Sequence, residues 1–268
     1  MDGMIVTGSE KMLARKADGI GWLTFNNPER HNAVSMEMWQ AVERIMADYT
    51  ADPEVRVVVL TGAGGRAFVS GADISKFESE RSGEAAVAAY QAQTARAYGA
   101  VSDCPKPTIA MIQGHCIGGG TALAVCCDMR ICGETASFGV PAAKLGLGYP
   151  LPGIRRLVDL VGPSFAKEIF YTGKKWSAED ARIMGLVNRV VPNDQLEAFV
   201  TDYAKTIAGN APLTVGSVKF IVGEALKDRG TADEATCDTL VKACFASEDY
   251  NEGRRAFLEK RPPQFKGR

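Results

Sequence analysis

The apolar run Thr108–Ile112 stops at Gly114, and three consecutive glycines, Gly118, Gly119 and Gly120, precede a stretch free of helix breakers. That order predicts strand, tight turn and helix, with bare backbone N–H groups at the helix start. Such groups face outward and favour negative charge, and glycine lets a ligand oxygen come close to the backbone. An earlier segment repeats the pattern. The valine-rich run 55–61 suits a strand buried on both faces, Gly62-Ala63-Gly64-Gly65-Arg66 opens a loop through residue 74, and a helix is predicted over 85–101 until Pro105 and Pro107 interrupt it. Two such units in succession restrict the chain to an α/β fold of repeated ββα-like turns.

Around them, residues 13–16 and Ile20–Phe25 flank Asp18-Gly19 and predict a β-hairpin. Ser35 is a candidate N-cap for a helix through Asp48, with Met38, Val42, Ile45, Met46 and Tyr49 on one face. Segments 129–132 and 187–191 read as strands, and 154–160, 165–171 and Ala178–Ile183 as short helices. From Leu196 onward the pattern is helical, over 196–207, 213–227, 232–245 and 252–260, punctuated by Gly209, Pro212, Gly230 and Asp249. Apolar faces on those helices predict packing on the core or on a neighbouring subunit.

Charge and cysteine usage remove whole classes. Lys and Arg number 31 against 32 Asp and Glu, with no basic block, so nucleic acid is not an expected partner. No apolar run approaches the ~18 residues of a membrane span. Residues 1–11 carry no signal or transit pattern, so no membrane partner and a cytoplasmic location are expected. The seven cysteines form no Cys-x-x-Cys pair and lie mostly in apolar segments, which fits reduced, buried thiols and offers no zinc-ligand set. A dinucleotide oxidoreductase is disfavoured because Gly118, Gly119 and Gly120 lack the Gly-x-Gly-x-x-Gly spacing, and a serine hydrolase because no Gly-x-Ser-x-Gly elbow is present.

Several blocks then carry a family resemblance: Asn26-Asn27-Pro28-Glu29-Arg30-His31-Asn32-Ala33, residues 64–74 with Ser70-Gly71-Ala72-Asp73-Ile74, residues 113–128, Ala136-Ser137-Phe138-Gly139-Val140-Pro141, Leu145-Gly146-Leu147-Gly148, Thr172-Gly173 and residues 178–191. In this order they resemble the crotonase (enoyl-CoA hydratase/isomerase) superfamily. The resemblance implies a crotonase-like spiral of ββα units over 1–205 and a C-terminal α-helical trimerisation region over 206–268, assembled as a homotrimer or a dimer of trimers. It implies an acyl-CoA substrate, with no cofactor beyond the CoA moiety itself. The thioester oxygen would lie in an oxyanion hole made by the N–H groups of Ala72 and Gly119. Arg30, Ser70, Ala72, Asp73 and Ile74 would hold the CoA. The physics agrees, since a thioester enolate carries its charge on oxygen and losing one preorganised donor costs ~3 kcal/mol or more.

The pattern breaks where hydratases need two glutamates. Those positions hold Ala122 and Ala142, and a methyl group neither abstracts a proton nor orients water. Tyr149 falls where methylmalonyl-CoA decarboxylases of the superfamily carry a tyrosine against the substrate carboxylate, and where 1,4-dihydroxynaphthoyl-CoA synthases carry an aspartate. Decarboxylation generates its own enolate, so it needs an apolar site and a proton donor rather than a strong base. Decarboxylase-like or other lyase or isomerase chemistry is therefore expected, with Ala72, Gly119 and Tyr149 as the catalytic set. The alternative is a catalytically silent acyl-CoA-binding trimer. His115 is expected to be packed rather than catalytic, Lys76, Glu78 and Lys144 to be surface charges, and Asp73 to fix its loop. Asp128 is read as a cap on the glycine-started helix, ion-paired with Arg130.

Overall fold

The computed structural model describes residues 3–4, 7–73, 83–228 and 230–268. Asp18 and Gly19, at φ 54° and 76°, turn the chain tightly enough for β2 (Met12–Ala17) to pair antiparallel with β3 (Ile20–Phe25). From β3 the sheet continues in parallel through β4 (Val57–Gly62), β6 (Thr108–Ile112), β8 (Met129–Gly133) and β11 (Arg189–Val191), while β1 (Gly3–Met4) closes the other edge antiparallel to β2.

Both faces of this seven-stranded sheet are covered, and the side chains divide with the two-residue period of a strand. Leu23, Phe25, Val58, Leu60, Ala110, Ile112 and Cys132 pack on one side with Met38, Trp39, Val42, Ile45 and Met46 of α1 (Met36–Ala51) and with Ala97 and Val101 of α2 (Glu84–Ser102). The alternate residues, Ile20, Trp22, Val57, Val59, Ile109, Met111 and Ile131, meet Leu196, Val200, Ala204 and Ala208 of α6 (Leu196–Ala208) on the other. Double-sided burial is why these strands read as continuous apolar runs. Ser35 caps α1, accepting from the Met38 N–H as its position predicts. The division expected between 205 and 206 falls inside α6.

A second sheet, ordered β10-β9-β7-β5, is where the sequence reading needs correction. Residues 113–118 are not one tight turn but contain β7 (His115–Ile117), which runs parallel to β5 (Ala67–Val69) and β9 (Ser137–Gly139), with β10 (Trp176–Ser177) antiparallel at the edge. Strands of three residues or fewer offer no alternation long enough to read as a period. The two helices expected at 154–160 and 165–171 are both present within α4 (Leu151–Thr172), separated where Gly162 leaves helical geometry at φ 72°, ψ 168° before Pro163. The short α5 (Ala178–Ile183) opens on a reciprocal capping box between Ser177 and Asp180.

After α6 come α7 (Pro212–Ala225), α8 (Glu234–Ala246) and α9 (Glu248–Glu259). Asp249, expected to interrupt the helices, lies instead in the first turn of α9, after the N-cap Ser247. Its buried carboxylate accepts from the N–H groups of Lys266 and Gly267, strapping the tail back. Arg56, just before β4, donates to the carbonyls of Ala208 and Phe265 and ties the end of α6 and the tail to the sheet. Val218 and Val222 of α7, Phe245 of α8, and Phe257 and Leu258 of α9 stay largely exposed. Among the described residues no helix is long and apolar enough to cross a membrane.

Candidate active site

Because β5, β7 and β9 run parallel and in register (Ala67 beside His115, His115 beside Ser137, Ile117 beside Gly139), the chain leaves all three at one edge of the small sheet. That edge therefore gathers Ser70-Gly71-Ala72, Gly118-Gly119-Gly120 and Val140-Pro141-Ala142, from three segments far apart in sequence.

The first turn is fixed by a parallel bridge between Val34 and Ala72. Such a bridge uses the neighbours of the paired residue: Gly71 O accepts from Val34 N at 2.9 Å, and Asp73 N donates to Val34 O at 3.1 Å. The N–H of Ala72 itself points away from Val34. In the second turn Gly118 N donates to Gly139 O at 2.8 Å, and Gly118 O accepts from Ala122 N at 3.0 Å to open α3 (Gly119–Ala124). Gly119 thus carries one of the unpaired donors of a helix start. Among the described residues, neither the Ala72 nor the Gly119 N–H finds an acceptor. The turns touch, since a Cβ on Gly71 would stand 3.8 Å from Gly119 N. Two glycines make this possible. Gly118 adopts φ 57°, ψ −114°, and a Cβ on Gly120 would lie 2.0 Å from the carbonyl oxygen of Val69.

Ala122 and Ala142 are both buried and belong to the same core cluster as Leu123 and Phe138. Tyr149 is half-buried, packed edge-on against Phe170 with ring centroids 4.8 Å apart. Burial, aided by the nearby thiol of Cys126, pushes its phenol up to about 12, so it is a proton donor and not a base at neutral pH. Two further side chains escaped the sequence reading. Tyr98 of α2 donates its hydroxyl to Gly119 O at 3.2 Å, and Cys126 bonds to Ala122 O at 3.1 Å. Burial, and then the proximity of Tyr149, raises the Tyr98 phenol well above its usual range. The recurrence of Tyr90 and Tyr98 about two helical turns apart was the available signal.

Ser70 and Arg30 do come together. Ser70 N donates to His31 O at 3.2 Å, and Arg30 stands exposed on the adjoining 3₁₀ turn Pro28–Arg30. Asp73 is buried beneath the loop. Ile74, Lys76 and Glu78 lie outside the described residues. His115 begins β7, at the end away from Gly118, where Nδ1 pairs with Ser137 Oγ at 2.8 Å. Burial and the charge of Lys175 hold its imidazole below the usual range. Asn32, wholly buried at φ 54°, accepts from Asn27 N and donates to Ala63 O and Ala67 O, lashing three loops together beneath the site.

The Asp128–Arg130 ion pair is not formed. The Asp128 carboxylate accepts from Thr108 N, Thr108 Oγ1 and Lys219 Nζ, at 2.7, 3.0 and 2.8 Å. Arg130, 2% exposed, turns its guanidinium to backbone carbonyls instead: Leu186 at 2.6 Å, Cys127 at 2.7 Å and Ala124 at 3.3 Å. Ala124 is the last residue of the helix that Gly119 begins and Cys127 lies in the turn after it, where a cation complements the helix dipole.

The buried acids set a direction for alkaline stability. Burial pushes the Cys126 and Cys132 thiols up to about 11 and about 12, and raises Cys116, Cys127 and Tyr49 as well. Unfolding returns each to its ordinary value, so the folded state holds these protons more tightly. The resulting stability is complete below about pH 9 and is lost as pH rises through the folded values. Urea midpoints are expected to fall steadily from about pH 9 to about pH 10.5. A constant midpoint over that interval excludes this linkage.

The family profile described as enoyl-CoA hydratase/isomerase matches residues 15–268. The chain is 34% identical over 259 residues to the crotonyl-CoA hydratase of Syntrophomonas wolfei subsp. wolfei, covering 96% of this chain and 98% of that one. It is 32% identical over 270 residues to the carnitinyl-CoA dehydratase of Salmonella enteritidis, covering 97% and 100%. The crystal structure of an enoyl-CoA hydratase/carnithine racemase from Magnetospirillum magneticum superposes with a TM-score of 0.92 at 35% identity, covering 97% of each chain.

Proposed function

The chain belongs to the enoyl-CoA hydratase/isomerase family, and from that premise we propose that it acts on an acyl-CoA through an enolate held by the N–H groups of Ala72 and Gly119, by chemistry other than hydration. The observation that carries this reading is a pair of N–H groups, on two touching turns, that find no acceptor among the described residues. Donors fixed in place before reaction stabilise oxyanion charge without reorganising as it develops. Ala122 and Ala142 argue against the water addition for which relatives are named, because neither supplies a general acid or base.

A malonyl-type thioester fits what remains. The bond from Cα to the carboxylate breaks, its electron pair becomes the enolate, CO2 leaves, and one proton delivered to Cα gives the saturated acyl-CoA. Tyr149, kept protonated by burial, is the proposed donor or carboxylate contact. Arg30, Ser70, Asp73 and Ile74 are the proposed CoA contacts. The unburied apolar side chains of α7, α8 and α9 support a homotrimer or a dimer of trimers. Seven free thiols, five of them buried, support a reducing, cytoplasmic setting.

The test is turnover on a panel of malonyl-, methylmalonyl-, crotonyl- and saturated acyl-CoAs. Carboxylate-bearing thioesters are expected to release CO2, and Tyr149→Phe is expected to slow that step by about 100-fold. Crotonyl-CoA hydration at ordinary enzyme rates would overturn the non-hydratase reading. Tight binding with no turnover on any thioester would instead establish a silent acyl-CoA-binding protein.

A further inference from the structure

Resting on the acyl-CoA reading above, we propose that Tyr98 is a positioning residue whose hydroxyl holds the Gly119 donor in the orientation an oxyanion requires. The peptide that carries the Gly119 N–H lies between two residues without a Cβ, so little steric resistance opposes its rotation. The helix it begins spans only six residues, and a helix so short has little cooperative stiffness of its own. That peptide is held on its own carbonyl by Ala122 N, 3.0 Å from Gly118 O, and a restraint on the following carbonyl would fix Gly119 from its other side and keep the donor preorganised.

Tyr98 supplies that clamp on the carbonyl side of the same residue, donating to Gly119 O at 3.2 Å. A Cβ on Gly119 would lie 3.3 Å from this hydroxyl and 3.7 Å from Trp39 Cζ2, so the two aromatic residues wall Gly119 closely. The wall is itself braced. Tyr98 meets Trp39 edge-to-face, with centroids 5.2 Å apart and planes at 77°, and Trp39 Nε1 donates to the Tyr90 hydroxyl at 3.0 Å. Trp39 is 1% exposed. The bracing runs from α1 and α2, outside the turn, into one of the two residues proposed to donate to the thioester oxygen. Burial raises the Tyr98 phenol, so it keeps its proton and remains a donor throughout the neutral range.

The carbonyl stretch of bound butyryl-CoA, isotopically labelled at the thioester carbon and read by difference infrared, separates positioning from packing. Binding to the wild type is expected to lower that frequency. Tyr98→Phe keeps the ring against Trp39 and is expected to hold the thioester within about threefold of wild-type affinity, yet to lose about half or more of the downshift. Its kcat is expected to fall with KM nearly unchanged. Tyr203→Phe removes a hydroxyl from α6, on the opposite face of the large sheet, and is expected to keep the full downshift. A full downshift in Tyr98→Phe, with circular dichroism and affinity verifying a folded variant, overturns the positioning role and leaves the oxyanion reading intact. No downshift in the wild type overturns the oxyanion reading, and the role of Tyr98 with it.

Discussion

Gly120→Ala is expected to lower acyl-CoA turnover by about 100-fold or more and to destabilise the protein by about 3 kcal/mol. The added methyl would stand 2.0 Å from Val69 O, 2.8 Å from Val69 C and 3.0 Å from Val69 Cβ. Two of these contacts are backbone of β5, so no rotamer change relieves them. Relief requires α3 to move away from β5; α3 begins at the Gly119 donor and β5 leads into the turn that carries Ala72. The substitution should therefore strike transition-state stabilisation harder than CoA binding. Steady-state kinetics beside urea denaturation checks this. A folded Gly120→Ala protein with wild-type kcat would show that the spacing of the two turns does not control the chemistry.

The second large effect is expected at Arg130. Arg130→Met keeps most of the buried stem but takes from the carbonyls of Leu186 and Cys127 the guanidinium donors they now have, and leaves Ala124 O with the Cys127 N–H alone. A buried acceptor stripped of its partner costs about 1–3 kcal/mol, and these costs fall on one cluster, so a loss of about 4 kcal/mol is expected. Lysine rescues only in part, because a single ammonium cannot reproduce the planar fork that reaches carbonyls in two segments. Denaturant titration of both variants measures the effect. A loss under about 1 kcal/mol for methionine would mean that water or a rearranged side chain satisfies these carbonyls. Since Arg130 closes the helix that Gly119 opens, turnover is expected to fall along with stability.

How much of this could be read beforehand differs by element. The Asp18-Gly19 hairpin and the Ser35 cap are local, and their chemistry is written in adjacent residues. The valine run of β4 announced burial on both faces, and its alternate residues do divide between the α1/α2 core and α6. The small sheet was not legible, because β5, β7 and β9 are three residues each and are stabilised by pairing rather than by any pattern of their own. Ala72 and Gly119 could be named from motif order. That their N–H groups find no acceptor among the described residues depends on Val34 and Gly139, each remote from the turn it steers. Nearness in sequence misled at Asp128 and Arg130, where each residue found better partners in other segments: Thr108 and Lys219 for one, Leu186 for the other.

The sequence by itself determined the α/β class, the two glycine turns and the family. These depend on residue identity and local order, which the chain states directly. Only the tertiary structure decided that the turns touch, that Tyr98 grips Gly119 across 21 positions, and that Arg130 reaches Leu186 across 56. Hydrogen bonds need donors and acceptors within about 3 Å at the proper angle. For groups so far apart along the chain, only the packing of sheets and helices sets that distance.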